Sequence, residues 1–317
     1  MRTAIISDIH GNYPALMKVL EDARTEYVDH YIFMGDYIFE LPFSNEVVQV
    51  LMKMENAYII KGNKEEYLFR IAKESQDNWI HDCWASRYQT FKGLKPEAYD
   101  FLHSLEGELY VPLNSRASAY VTHISPIFGV PTPLDKCARN TIFCQMFLEK
   151  PFTRAEFLAD YHDFINFDNC LPKINNINAN IIVYAHNHIQ CHGYCGDKII
   201  INPGSCGQPL DCVIGAPYTI LEETSDGFNV IEKRVAYDVE AVIREVKASP
   251  FYEIDKISCE AVFMNLRTGR DYLPVLHNIA LQISADRNEE CNPFSNATWA
   301  EASEQFFLQY VNNCSEG

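Results

Sequence analysis

Thr3-Ala4-Ile5-Ile6-Ser7-Asp8-Ile9-His10-Gly11-Asn12 is the stretch on which the reading of this chain turns. A short apolar run breaks onto an acid, an imidazole, a glycine and an amide. Four or five apolar residues in a row are how a strand buried on both faces reads. The same grammar recurs down the chain. Residues 31–34 run into Gly35-Asp36, and 57–60 into Lys61-Gly62-Asn63-Lys64. Residues 119–122 run into His123, 181–184 into Ala185-His186-Asn187-His188, and 198–201 into Asn202-Pro203-Gly204-Ser205. Ligands of open α/β sheets bind beyond the carboxyl ends of strands. Strands that all end in polar residues therefore predict one site assembled from distant parts.

Between these runs lie helical patterns at 14–23 and 45–54, with Pro14 suited to a first turn and Ser44 an expected N-cap. Strands alternating with helices predict an α/β core. Two further strands are expected at 218–221 and 227–236, around a turn at Thr224-Ser225-Asp226-Gly227. Two segments read as insertions, about 65–108 and about 128–180. The first is aromatic-rich, and the second carries an amphipathic piece at 153–167. Beyond Ala236 only helical patterns follow, at 239–247, 257–267, 272–285 and 297–310. The expected organisation is a catalytic domain over 1–236 and a helical region over 237–317.

Composition narrows the function. Lys and Arg number 26 against 43 Asp and Glu, so the net charge of −17 repels polyanions. General binding to nucleic acid or anionic membranes is disfavoured. The first ten residues enter a strand without a leader pattern, and no run approaches the roughly 18 apolar residues of a membrane span. A cytoplasmic protein that makes no membrane contact is expected. The eleven cysteines are scattered and odd in number, which in a reducing compartment reads as free thiols. Cys191 and Cys195 lack the C-x-x-C spacing of a zinc knuckle.

Asp8, His10, Asp36, Asn63, His123, His186 and His188 are the oxygen and nitrogen donors at the strand ends. A single Asp-x-His would be a cap, and a lone His a core residue. Seven donors are too many for one metal with open positions and about right for two, with Asp36 between them. Mixed imidazole and carboxylate sets suit Mn, Fe, Zn or Ni. Two such ions about 3.5–4 Å apart clamp the oxygens of a phosphoryl displacement.

This series resembles the calcineurin-like metallophosphoesterase superfamily, whose pattern is D-x-H, G-D, G-N-H-D/E, H and G-H-x-H. Here it stands as Asp8-x-His10, Gly35-Asp36, Gly62-Asn63-Lys64-Glu65, His123 and Ala185-His186-Asn187-His188, within residues 1–210. Ser7-Asp8-Ile9-His10-Gly11-Asn12 is similar to the branch holding serine/threonine phosphatase-like and diadenosine tetraphosphatase-like enzymes. The resemblance implies a four-layer αββα sandwich with the helical insertions and C-terminal extension added. It implies one metal on Asp8, His10, Asp36 and His188 and a second on Asp36, Asn63, His123 and His186. A hydroxide bridging the metals would attack phosphorus, with Asp36, Asn63, Lys64 and His123 as the catalytic set.

Departures shape the substrate reading. Lys64 stands where the family has a His that contacts phosphoryl oxygens. Lysine supplies the charge but is a poor general acid at its ordinary pKa of about 10.4. Ala185 and Ile124 replace small residues and narrow the site. No Arg follows Asp36, which counts against a protein phosphatase. Arg87 and Arg139 are candidate replacements for gripping phosphate. The favoured reading is a dimetal phosphohydrolase, manganese among its candidate ions. Its substrate is a small phosphate ester or anhydride, with a dinucleoside polyphosphate-like nucleotide favoured. A phosphoprotein phosphatase and a metal-binding regulatory homologue weakened by Lys64 stay open, as does the oligomeric state.

Overall fold

The computed structural model describes residues 1–126, 153–156, 158 and 171–312. Most of the second expected insertion lies outside them, including Arg139 and most of the amphipathic piece at 153–167. The strands are β1 (Arg2–Ile6), β2 (His30–Phe33), β3 (Ala57–Ile59), β4 (Glu108–Pro112) and β5 (Ser118–Thr122). They continue as β6 (Ile181–Val183), β7 (Gln190–Cys195), β8 (Lys198–Pro203), β9 (Ala216–Glu223) and β10 (Phe228–Val235). They form two five-stranded mixed sheets, ordered β10-β9-β1-β2-β3 and β4-β5-β6-β8-β7. In the first, β1, β2 and β3 run parallel; in the second, β5, β6 and β8 do.

Alternation along β1 explains the layers. Ile5 faces the second sheet in an apolar core with Ile32, Met34, Val121, Ile181, Val183 and Ile201. Ala4 and Ile6 face the other way, against Leu16, Val19 and Leu20 of helix α1 (Tyr13–Thr25) and Val47 and Val48 of α2 (Ser44–Leu51). Period-two alternation places neighbours on opposite faces. Each fully buried Ile or Leu contributes about 1.5–3 kcal/mol. The result is two mixed sheets flanked by helices, as expected.

Local corrections have simple causes. Ser44 is the first residue of α2 rather than its cap; its Oγ accepts from Phe39 N–H at 3.3 Å, and no side chain caps this helix. Asn12 caps α1, accepting from Ala15 N–H at 3.2 Å. The first insertion holds α3 (Asn63–Ile71), α4 (Ala85–Gly93) and α5 (Pro96–Ser104). Its aromatics pack on one another, with Trp79 stacked on Tyr88 at 5.1 Å between ring centroids, within the core of the first sheet.

After β10 come α6 (Val239–Lys247), α7 (Pro250–Ile254), α8 (Lys256–Thr268), α9 (Leu273–Arg287) and α10 (Asn296–Phe306). No helix among the described residues is long and apolar enough to cross a membrane. Asp255 and Ser295 cap α8 and α10 through their side chains. These helices lean on the first insertion: Asn296 accepts from Asp82 N–H at 2.9 Å and donates to Ile80 O at 2.9 Å. His277 of α9 packs beside Phe294 and Trp299. Burial lowers its pKa to about 4; the Arg87 and Lys64 charges push the same way and Glu40 opposes them. The unfolded chain then binds the extra proton between about pH 6.5 and that value. Stability should therefore fall as pH drops through this window. Urea midpoints from pH 7 to 4.5 test this, and His277→Leu should shallow the slope.

Candidate metal centre

Beyond β1 the chain doubles back at Asp8 and His10, whose φ angles are 50° and 51°. Asp36 (55°), His186 (74°) and His188 (63°) adopt the same left-handed conformation. A side chain there costs about 1–2 kcal/mol per residue. Hydrogen bonds between strand ends offset it. Asp8 N–H donates to Gly35 O at 3.1 Å, His10 N–H to Asp36 O at 2.9 Å, and Cys206 N–H to Ser7 O at 2.8 Å. The turns aim their side chains into one pocket at the edge between the sheets.

Two donor groups result. Asp8, His10 and His188 present ligand atoms within 4.8 Å of one another, and so do Asp36, His123 and His186. Asp36 stands between them, its Oδ2 3.4 Å from His123 Nε2 and 4.0 Å from His10 Nε2. Asn63 Oδ1 lies 3.0 Å from His123 Nε2. The structure thus gathers all seven predicted donors in one place.

The imidazoles are oriented from behind. His123 Nδ1 lies 2.8 Å from Met34 O, and His188 Nδ1 2.8 Å from Gln208 O. A carbonyl only accepts, so each Nδ1 carries the proton and each Nε2 turns inward. His10 and His188 bring their Nε2 atoms to 3.1 Å. Asp8 Oδ1 is buried without an aligned hydrogen bond, with His188 Nε2 at 3.3 Å. A buried carboxylate oxygen ringed by inward-facing nitrogens fits a divalent transition ion.

The field in the pocket asks for positive charge. Burial alone would raise Asp8, but His188 and His10 hold it well below its ordinary value. Asp36 is likewise lowered against its burial, chiefly by His123. Burial works against a charged His123, yet Asp36 pushes it up to about 10. Burial lowers His10, with Asp8 opposing.

Lys64 does not reach for solvent. Its N–H donates to Asp36 Oδ1 at 2.8 Å, and its ammonium pairs with Glu40. Both side chains are largely buried, 17% and 15% exposed. The roles of two residues escaped sequence reasoning. Glu40 sits in a loop with no periodic signal. Glu65 is fully buried and accepts from Asp36 N–H at 3.0 Å, Tyr37 N–H at 2.9 Å and Gly62 N–H at 2.7 Å. It thereby holds the Asp36 turn. A Glu three residues after the residue that precedes a helix is a capping signature that could have flagged it. Gly62 leaves room for the Asp36 carboxylate: a Cβ there would lie 2.3 Å from Asp36 Oδ1.

Residues 1–190 match the family model described as calcineurin-like phosphoesterase. An uncharacterized protein of Methanocaldococcus jannaschii, MJ0912, is 26% identical over 243 residues, 77% of this chain and 90% of that protein. A symmetrical bis(5'-nucleosyl)-tetraphosphatase of Baumannia cicadellinicola is 26% identical over 142 residues, 44% of this chain and 47% of its own. Among solved structures, a metallophosphoesterase from Sphaerobacter thermophilus has a TM-score of 0.58 at 21% identity, covering 85% of this chain and 99% of its own. The hypothetical protein PH1004 of Pyrococcus horikoshii has a TM-score of 0.57 at 16% identity, covering 81% and 97%.

Proposed function

Because this chain belongs to the calcineurin-like phosphoesterase family, a family of metal-dependent phosphoesterases, we propose that its strand-end donors hold two divalent ions for phosphate hydrolysis. Asp8, His10 and His188 hold the first. Asn63, His123 and His186 hold the second, and Asp36 serves both. The observation that carries this reading is the pair of buried donor groups with Asp36 between them. Manganese, iron, zinc and nickel all suit the donors.

Bound ions would supply Lewis acidity to the phosphoryl oxygens and lower the pKa of an attacking water. The chain does the rest. Met34 O and Gln208 O fix the imidazole rings, and Lys64 N–H fixes the Asp36 carboxylate. Glu65 holds the backbone beneath Asp36. Lys64 places a fixed positive charge at the entrance and, paired to Glu40, steadies anionic oxygen rather than delivering a proton. The substrate is a small phosphate ester or anhydride. The nucleotide reading draws on the likeness to a nucleosyl tetraphosphatase. Residues 1–236 carry the chemistry.

Metal-stripped protein, reloaded with Mn²⁺, should hydrolyse at least one of p-nitrophenyl phosphate, bis-p-nitrophenyl phosphate and diadenosine polyphosphates. A phosphopeptide should be a poorer substrate, and chelation should remove the activity. No turnover of any of these by protein shown to carry two ions would sink the proposal.

A further inference from the structure

Arg87 is a half-buried cation of the first insertion. It lies on α4 with its guanidinium 5.9 Å from the Tyr67 ring centroid and 5.8 Å from that of Trp84. Such faces position a guanidinium without neutralising it. Tyr67 is three residues beyond Lys64 on α3, so the two share one face of that helix. Arg87 therefore sits over the face that presents Lys64. Its charge acts on Glu40, Lys64 and His277. No carboxylate among the described residues reaches it within salt-bridge distance; Glu40, the acid in this group, is engaged by Lys64. In a chain of net charge −17, a cation left over beside a catalytic pocket is a specific feature.

The geometry therefore points to Arg87 as the binding residue for a second anionic group on the leaving side of the substrate, which makes that substrate a phosphoanhydride. This rests on the phosphoesterase reading above and goes beyond it. Lys64 touches Asp36 through its backbone N–H, and Arg87 stands over Tyr67 on the helix face that carries Lys64. A phosphoryl group at the donors would send its leaving group past Lys64 toward Arg87. In the reaction, water oxygen bonds to phosphorus and the anhydride P–O bond breaks. The electron pair stays on the departing phosphate, and the proton of the water passes to solvent or product. A leaving phosphate needs little protonation, which suits a site with Lys in place of His. Arginine's planar fork matches phosphate oxygens.

The test compares ADP with p-nitrophenyl phosphate, whose leaving group has no phosphate, in Mn²⁺-loaded protein. Arg87→Ala should lower kcat/KM for ADP about 10- to 100-fold, mostly through KM. It should lower kcat/KM for p-nitrophenyl phosphate several-fold less. Arg87→Lys should recover part of the ADP loss, and thermal melts should show both variants folded. Equal losses on both substrates would overturn the inference in favour of a structural role. So would an unchanged KM for ADP, or a wild-type protein that hydrolyses p-nitrophenyl phosphate but not ADP; the phosphoesterase reading survives each. If metal-loaded wild type hydrolyses neither, this inference falls, and the phosphoesterase reading falls with it only when bis-p-nitrophenyl phosphate and diadenosine polyphosphates are also left intact.

Discussion

Asp36→Asn should lower turnover of every phosphate substrate by about 10²- to 10³-fold or more, with the fold intact. The amide keeps the shape of the carboxylate and can still accept from Lys64 N–H on its Oδ1. It loses the negative charge that stands between His123 Nε2 at 3.4 Å and His10 Nε2 at 4.0 Å. Asp8 also approaches both groups, its Oδ1 3.3 Å from His188 Nε2 and 4.0 Å from His123 Nε2, but it stands farther from His123 than Asp36 does. Metal analysis of the variant should show fewer than two ions per chain, while its melting curve stays close to that of wild type. Wild-type turnover by this variant would remove Asp36 from the centre.

The second large effect is on stability. Gly207→Ala should destabilise by about 3–5 kcal/mol, lowering the melting temperature by roughly 10 °C. A Cβ at Gly207 would stand 1.8 Å from Ile9 O and 2.5 Å from Ile9 C, both backbone atoms. Neither can swing aside as a flexible side chain would. The contact is close because Gly207 N–H donates to Asp8 O at 3.1 Å, and Gly207 O accepts from Asn12 Nδ2 at 2.8 Å. The loop after β8 is thus sewn to the turn that carries Asp8 and His10. Metal affinity should fall with stability, because relief of the clash displaces that turn. Calorimetry of the metal-free and Mn²⁺-loaded variant would read both. A melting temperature within a few degrees of wild type would show that the loop can yield.

The parts of the fold most legible in the sequence were those that bury both faces. Strands β1, β2, β5, β6 and β8 lie close to their apolar runs because a central strand has no polar side to blur the pattern, and the edge strands β3 and β10 were read from their own β-branched and aromatic residues. The edge strands β4 and β7 went unread. Leu109 and Val111 of β4 alternate with residues at the surface, and β7 carries Gln190, His192 and Gly193. At an edge, a strand needs apolar side chains on one face at most. Helix α6 matches its expected bounds, whereas the five-residue α7 is too short to show a period. For the site, the strand-end Asp, His and Asn that the structure brings together stood out because metal chemistry restricts residue type. Glu40 did not, since an acid in a loop has no partner until the chain folds Lys64 toward it. Nor did the left-handed backbone of five of the donors, since Asp and His carry no local mark of it.

Each donor group draws on both sheets. Asp8 and His10 leave the first sheet and meet His188 from the second; Asp36 leaves the first and meets His123 and His186 from the second. The centre therefore works as a caliper closed on the sandwich. Its two jaws are carried by separate sheets, and their gap is gauged by Ile5, Ile32, Val121 and Val183 lying between them. Interiors packed to crystal-like density resist small changes of volume. A substitution that thickens or thins this layer thus resets the spacing of the ligands without touching any of them. On the proposed metal reading, ion preference becomes tunable from the middle of the hydrocarbon core.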